Sequence, residues 1–313
     1  MSAIVKDIEA LAQRIGRRLP PVETNFPLKV PAHFIERIAT CDHDGLLAQV
    51  LPTAAENQTV PGFSADAVGD LNARPAPALL HKYHGRALVM LSPRCHIHCR
   101  FCFRRHFPYE QTLGQAAWQT TLDYLHRHEE IHEVILSGGD PLTLSEAQLT
   151  DRVRALEAIP HIQTLRIHSR SPIAAPALTP QGRFLHWARH SRLNKVLVVH
   201  CNHPDELSKE TAEVLARWRQ AGFTLLNQSV LLRGVNDQEA TLEKLSHSLW
   251  AQGVLPYYLH LLDRVQGAAH FEVSASRGIA LIQYLRQRLP GYLVPRLVRE
   301  IANEPCKTPV EVI

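Results

Sequence analysis

The sequence predicts an α/β protein built as a partial (β/α)6 barrel with an N-terminal helical and irregular elaboration. Three observations predict it. From Arg86 onward, short apolar segments alternate six times with amphipathic ones, the pattern of successive βα units. Each apolar segment runs into, or contains, a polar set. Capping residues and glycines fall where the intervening helices must start and stop. Consecutive βα units favour parallel strands with right-handed crossovers, and six are too few for the full eight-unit barrel.

The chain divides into an elaboration over 1–85 packed on the core, a barrel over 86–290 and a C-terminal segment over 291–313. Ile4, Ile8, Leu11 and Ile15 recur at helical spacing and predict an amphipathic helix over 4–17. Pro20, Pro21, Pro27 and Pro31 interrupt any longer element, and a short helix restarts over 32–38. The Pro-, Gly- and Asp-rich stretch 57–78 reads as irregular wrapping. Strands are predicted at 87–91, 133–136, 164–168, 195–200, 224–230 and 255–260. Helices are predicted at 115–128, 146–159, 181–190, 209–221, 238–252 and 274–288. Ser145 with Gln148 makes a capping box, and Gly222 and Gly253 stand as C-terminal stops. The apolar YLVPRLV predicts one more buried strand near the chain end.

The first predicted strand runs into a cysteine loop, the second into Ser137-Gly138-Gly139-Asp140 and the third into His168-Ser169-Arg170. The fourth ends at His200-Cys201-Asn202-His203, the fifth contains Asn227-Gln228-Ser229 and the sixth leads to Asp263. Barrel enzymes build their sites from such strand ends. One polar end would carry no weight; six in step with the strands predict a site.

Length and an ordinary hydrophobic fraction fit a soluble globular protein with a large core. A formal charge of +4 is too mild to predict nucleic-acid binding, although it suits anionic cofactors. Charges break the apolar residues at the N-terminus, against a signal peptide, and no apolar run is long enough to predict a membrane span. Cys41, Cys201 and Cys306 are scattered, which is no disulfide framework and fits a reducing cytoplasm.

Cys95, Cys99 and Cys102 form a C-x3-C-x2-C triplet followed directly by Phe103. Three thiolates so close in sequence can hold three irons of a 4Fe–4S cluster and leave the fourth iron open to a ligand. The alternative is a structural zinc knot closed by His96, His98 or His106. Gly138 and Gly139 would let backbone approach a ligand closely, though Gly-Gly-Asp also occurs in plain turns. Lys307 lies between Pro305 and Pro309, just after the final predicted strand; alone it would be a solvated charge.

The stretches PALLHKYHGRAL, CRFCFRRHFPY, ILSGGDPL, LRIHSRSPI, LLNQSVLLRGVND, PYYLHLLDRVQGAAHF, GYLVPRLVREI and EPCKTP run from Pro77 almost to the chain end. Together they resemble the lysine 2,3-aminomutase family of radical S-adenosylmethionine (SAM) enzymes, and most of all its members that serve elongation factor P modification. The resemblance implies a radical SAM partial barrel with three cofactors: a 4Fe–4S cluster, SAM and pyridoxal 5′-phosphate (PLP). It implies that Cys95, Cys99 and Cys102 ligate the cluster. Ser137, Gly138, Gly139 and Asp140 would receive the SAM amino group, with His200 and Gln228 lining the SAM pocket. Lys307 would form the internal Schiff base with PLP, its phosphate held by Arg86 with Lys82 and Gln228, and Tyr83 beside it. Arg104 would pair with the substrate carboxylate, for which a planar guanidinium is suited.

Asp263 and Glu300 match carboxylates that receive the distal ammonium of lysine, although Glu300 is aspartate in the free-standing aminomutases. Two carboxylates in a closed pocket favour a cationic side chain. The implied reaction is a 1,2 amino shift from L-α-lysine to β-lysine, of R configuration, in the cytoplasm. The implied partners are an electron donor such as flavodoxin or ferredoxin, elongation factor P and its lysyl-transferring ligase. Related free-standing enzymes carry a further cysteine-containing tail that binds zinc between subunits; here the sequence stops six residues after Lys307, so their tetramer is not carried over. The alternatives are a related aminomutase acting on glutamate, one making free β-amino acid for another pathway, and a non-catalytic iron–sulfur or zinc protein.

Overall fold

A computed structural model describes residues 4–112 and 114–311. A two-stranded ribbon pairs β1 (Ile4–Val5) antiparallel with β2 (Val30–Pro31). The main sheet comprises β3 (Leu79–Tyr83), β4 (Arg86–Ser92), β5 (Glu133–Gly138), β6 (Thr164–Ser169) and β7 (Asn194–Val199), followed by β8 (Phe223–Val230), β9 (Leu255–His260), β10 (Arg296–Arg299) and β11 (Thr308–Pro309). Its nine strands lie side by side in chain order, from β3 at one edge to β11 at the other. Pairing is parallel from β4 through β10, and only the two edge strands run antiparallel. The six predicted strands are thus β4 to β9, and β10 is the additional buried strand.

The helices Gln115–Arg127, Glu146–Glu157, Arg183–His190, Lys209–Gln220, Glu239–Ala251 and Ala275–Arg288 make the crossovers. Ser145 and Gln148 form the reciprocal capping box, and Gly222 and Gly253 terminate their helices in left-handed conformation. Strand alternation sets the two faces of the sheet. On β6, Leu165 and Ile167 pack into the main apolar core under the helices, whereas Arg166 and His168 face an internal cavity. Among the described residues no helix is long and apolar enough to cross a membrane.

Two differences from the sequence expectation concern the N-terminal elaboration. Its first helix spans Ile8–Ile15 and not 4–17, because Asp7 caps it by accepting from the Ala10 N–H at 2.7 Å and Ile4–Val5 extend into β1. Ile4 is in helical phase but outside the helix. The second is β3, a strand beyond the predicted set, which folds back on β4 through a turn at His84 and Gly85. The division expected at residue 85 therefore falls inside a hairpin.

The elaboration also clamps the cysteine loop. Glu56, 6% exposed, accepts from Arg100 Nε at 2.8 Å and from Arg105 at 2.7 Å, and Arg100 is itself fully buried. Removing one member of a buried ion network leaves an uncompensated charge. Glu56→Ala is expected to cost about 3–5 kcal/mol, read as a lower midpoint in urea unfolding, with Glu56→Gln losing less.

Candidate active site

One cavity of about 360 Å³ occupies the inner face of the sheet, and every residue that the resemblance assigned to a cofactor or to the substrate lines it. Contributions come from the strand ends as expected: Ser137 on β5, His168 on β6, His200 after β7, Gln228 on β8, Asp263 after β9 and Glu300 after β10. The cavity also extends along the strands toward their starts, where Lys82, Tyr83 and Arg86 line it around the β3–β4 turn.

The cysteine loop after β4 has little regular structure and is fixed by its neighbours. His98 N–H donates to Lys29 O at 2.9 Å and Arg100 N–H to Gln49 O at 2.9 Å. Burial raises all three thiols: Cys95 well above its usual value and Cys102 to about 11, while Arg170 opposes the rise at Cys99. Such thiols need cations to stay ionised. Cys95, Cys99 and Cys102 all line the cavity, a set of three thiols, whereas structural zinc is ordinarily closed by four protein ligands. His96, His98 and His106 each have a ring nitrogen engaged elsewhere, with Ser171, Pro27 O and Gln266 O.

Gly138 and Gly139 line the cavity, but their immediate reason for being glycine is the cysteine loop. A Cβ on Gly138, whose φ is +124°, would lie 2.5 Å from Ser92 O, and one on Gly139 would lie 2.5 Å from Arg94 O. Gly139 N–H and Asp140 N–H already donate to those two carbonyls, each at 2.7 Å. Two N–H groups of this segment therefore bind the loop that carries the cysteines. The Asp140 side chain is engaged as well. Its carboxylate accepts from the Ser169 and Ser171 hydroxyls and from the N–H groups of Leu142, Arg170 and Ser171, tying β5 to β6.

A chain of alternating charges crosses the cavity. Asp70, absent from the sequence prediction, is 2% exposed and pairs with Lys82 at 2.6 Å and Arg104 at 2.7 Å. Burial alone would raise its carboxyl, but Arg104 and Lys82 together hold it below the usual range. Lys82 reaches on to Glu300 at 3.3 Å, and Glu300 contacts Lys307. Lys307, Lys82 and the Tyr83 hydroxyl outweigh burial and hold Glu300 down at about 2. Lys82 therefore already serves two carboxylates. Arg86 differs: it stacks over the Tyr83 ring at 4.7 Å and forms no ion pair among the described residues.

Asp263 is the converse case. Its Oδ1 is buried with no hydrogen-bond partner among the described residues, and burial raises its carboxyl to about 7, with Glu300 and Asp70 adding to the rise against Lys307 and Lys82. His168, His200 and His260 also present buried, unpartnered Nε2 atoms. Burial holds all three below the usual imidazole value, His200 at about 3. Buried polar atoms are ordinarily satisfied, so this group marks a place built for a ligand. Sequence reasoning missed Asp70 and His260; His168 and Arg170 were visible only as one polar strand end. Arg170 donates to Cys99 Sγ at 2.7 Å and is held by Glu206 at 3.0 Å.

Cys41, His43 and Asp205 form a separate grouping. There His43 Nδ1 accepts from Gly45 N–H, so its proton sits on Nε2 and is donated to Asp205 at 3.0 Å. With both ring nitrogens engaged, the grouping is a latch between the elaboration and the barrel.

Comparison with known proteins adds relatives to this geometry. The profile of the Radical SAM superfamily matches residues 89–245. An L-lysine 2,3-aminomutase of Escherichia coli (strain K12) is 48% identical over 96% of this chain and 86% of its own length. Proteins of the same name from Haemophilus influenzae and Buchnera aphidicola are 45% and 38% identical. The first covers 90% of this chain and 84% of its own length, the second 89% and 82%.

Proposed function

The chain belongs to the lysine 2,3-aminomutase family of the radical SAM superfamily, a family of isomerases, and from that membership we propose that it converts L-α-lysine to β-lysine with PLP as a further cofactor. Membership brings a 4Fe–4S cluster and SAM. When bound, the reduced cluster with SAM supplies a radical able to remove hydrogen from an unactivated carbon, and PLP supplies a conjugated carrier for the migrating nitrogen.

The chain's own residues then have separable tasks. Cys95, Cys99 and Cys102 hold the cluster, and the Ser137–Asp140 segment and His200 border the space beside it for SAM. Arg86, which forms no ion pair among the described residues, suits the PLP phosphate, with Gln228 nearby and Lys307 presenting the amine that holds the cofactor. Arg104, fixed by Asp70, directs its remaining N–H groups to the substrate carboxylate. Lys82 and Tyr83 act through Glu300, keeping it ionised.

The observation that carries the choice of lysine is Asp263, a buried carboxylate with an unpartnered oxygen in the cavity that also holds Arg104 and Lys307. A cationic side chain would satisfy it; a glutamate side chain would add an unpaired charge. An anaerobic assay with SAM, PLP and reductant tests this directly. L-lysine is expected to yield β-lysine of R configuration and L-glutamate no product; turnover of glutamate would overturn the assignment. Asp263 also predicts a pH dependence. A carboxyl raised to about 7 is charged above that pH and neutral below it, so lysine binding weakens as pH falls through it. KM for lysine is expected to rise up to about tenfold per pH unit below 7, and Asp263→Asn to flatten that profile.

The motif resemblance further supports delivery of the product to elongation factor P through its lysyl-transferring ligase. A coupled assay with both proteins, read as a mass increase on elongation factor P, tests that step. Absence of modification despite β-lysine formation would favour release of the free amino acid to another pathway.

A further inference from the structure

We propose that the outer side of the cysteine loop is the landing site of an acidic one-electron carrier protein, received by Lys6, Lys29 and Arg94. The inference rests on the cluster assignment above and concerns a surface outside the cavity. In the ribbon, Val5 pairs with Val30, so the continuing antiparallel register sets Lys6 opposite Lys29. Like charges directly opposed across strands are destabilising. Neither lysine forms an ion pair with a described acidic residue, and neither does Arg94, beside Cys95. Asp7, the nearest acid in sequence, spends a carboxylate oxygen capping its helix at Ala10.

This unneutralised group is fastened to the cysteine loop. The Lys29 ammonium donates to Cys95 O at 2.5 Å, and Lys29 O accepts from His98 N–H at 2.9 Å. Lys6 and Arg94 are exposed and Lys29 is half-buried. The cations therefore adjoin the backbone of a cluster ligand and lie outside the cavity lining.

A radical SAM cluster acts only after it gains an electron from outside. The transfer is one electron from the carrier's reduced group to the cluster; no bond is made or broken and no proton need cross. Encounters of this kind are small, often under about 1,200 Å² in total, and are steered by charge. Three clustered cations suit such an encounter, whereas a nucleic-acid surface typically neutralises some 6–10 phosphates.

The test uses the anaerobically reconstituted holoprotein and follows bleaching of the iron–sulfur absorbance after mixing with reductant. A flavodoxin hydroquinone serves as the acidic carrier, passing to its semiquinone, and reduced methyl viologen as the small control. The double variant Lys6→Glu, Arg94→Glu is expected to slow reduction by flavodoxin at least about tenfold at low salt, with viologen rates within about twofold of the parent. Added salt is expected to slow the parent's reaction with flavodoxin and not the variant's. Flavodoxin rates unchanged in the variant would overturn the landing site. Equal slowing with both reductants would also overturn it, since that means a damaged cluster. Parent protein with no cluster to bleach would overturn the cluster assignment and the landing site together.

Discussion

Cys99→Ala is expected to abolish the iron–sulfur absorbance and paramagnetic signal and to take lysine turnover below detection. Three thiols face the cavity for three irons, and no other described cysteine lines the site near them, since Cys201 is buried on Asn227 and His203 and Cys306 adjoins Lys307. The variant should still fold. Arg170 loses its sulfur acceptor but keeps Glu206 at 3.0 Å and Gln49 at 2.7 Å, so its charge is not stranded. A normal cluster signal in Cys99→Ala after anaerobic reconstitution would refute the ligand set, and a lost signal accompanied by unfolding would be exposed by circular dichroism on the same sample.

Lys307→Ala is expected to remove the absorbance band of lysine-bound PLP, to leave the iron–sulfur spectrum intact and to reduce turnover to background. The side chain does two things, and a second variant separates them. Its ammonium contacts Glu300 and is the largest influence opposing burial of that carboxylate. Lys307→Arg retains a cation for Glu300 but cannot form the same covalent link. Loss of the band in both variants assigns the link to the amine; retention of the band in either would sink the Lys307 assignment. Recovery of substrate-independent thermal stability in Lys307→Arg, relative to Lys307→Ala, would report the ion pair alone.

The barrel was legible because its signals are local. Alternation along β4 to β9, the Ser145 cap and the stops at Gly222 and Gly253 each depend on a few adjacent residues. The candidate site was legible for a related reason, since parallel strands bring their C-terminal ends to one edge whatever lies between. What stayed hidden depends on contacts distant in sequence. Asp70 lies in the irregular stretch before β3, and its place between Lys82 and Arg104 appears only once the hairpin folds back. The partners of Asp140 were hidden in the same way, since its carboxylate is bound by Ser169 and Ser171 on the next unit. Among 19 histidines, nothing local separates His260 from those at the surface.

The hairpin of β10 and β11 makes the location of the Lys307 amine a question of frame. Arg299 pairs with Thr308, so Glu300 and Lys307 are the next residues facing each other across the same antiparallel ladder. A slip of one residue would turn every side chain of β11 to the opposite face and carry the amine out of the cavity. Ile301, Asn303 and Glu304 in the connecting loop are exposed, so burial of the loop does not fix that frame. Changes that alter the pairing of Thr308 and Pro309 would disturb it. In a chain this long, the position of the reactive nitrogen is set by two residue pairs at the edge of the sheet.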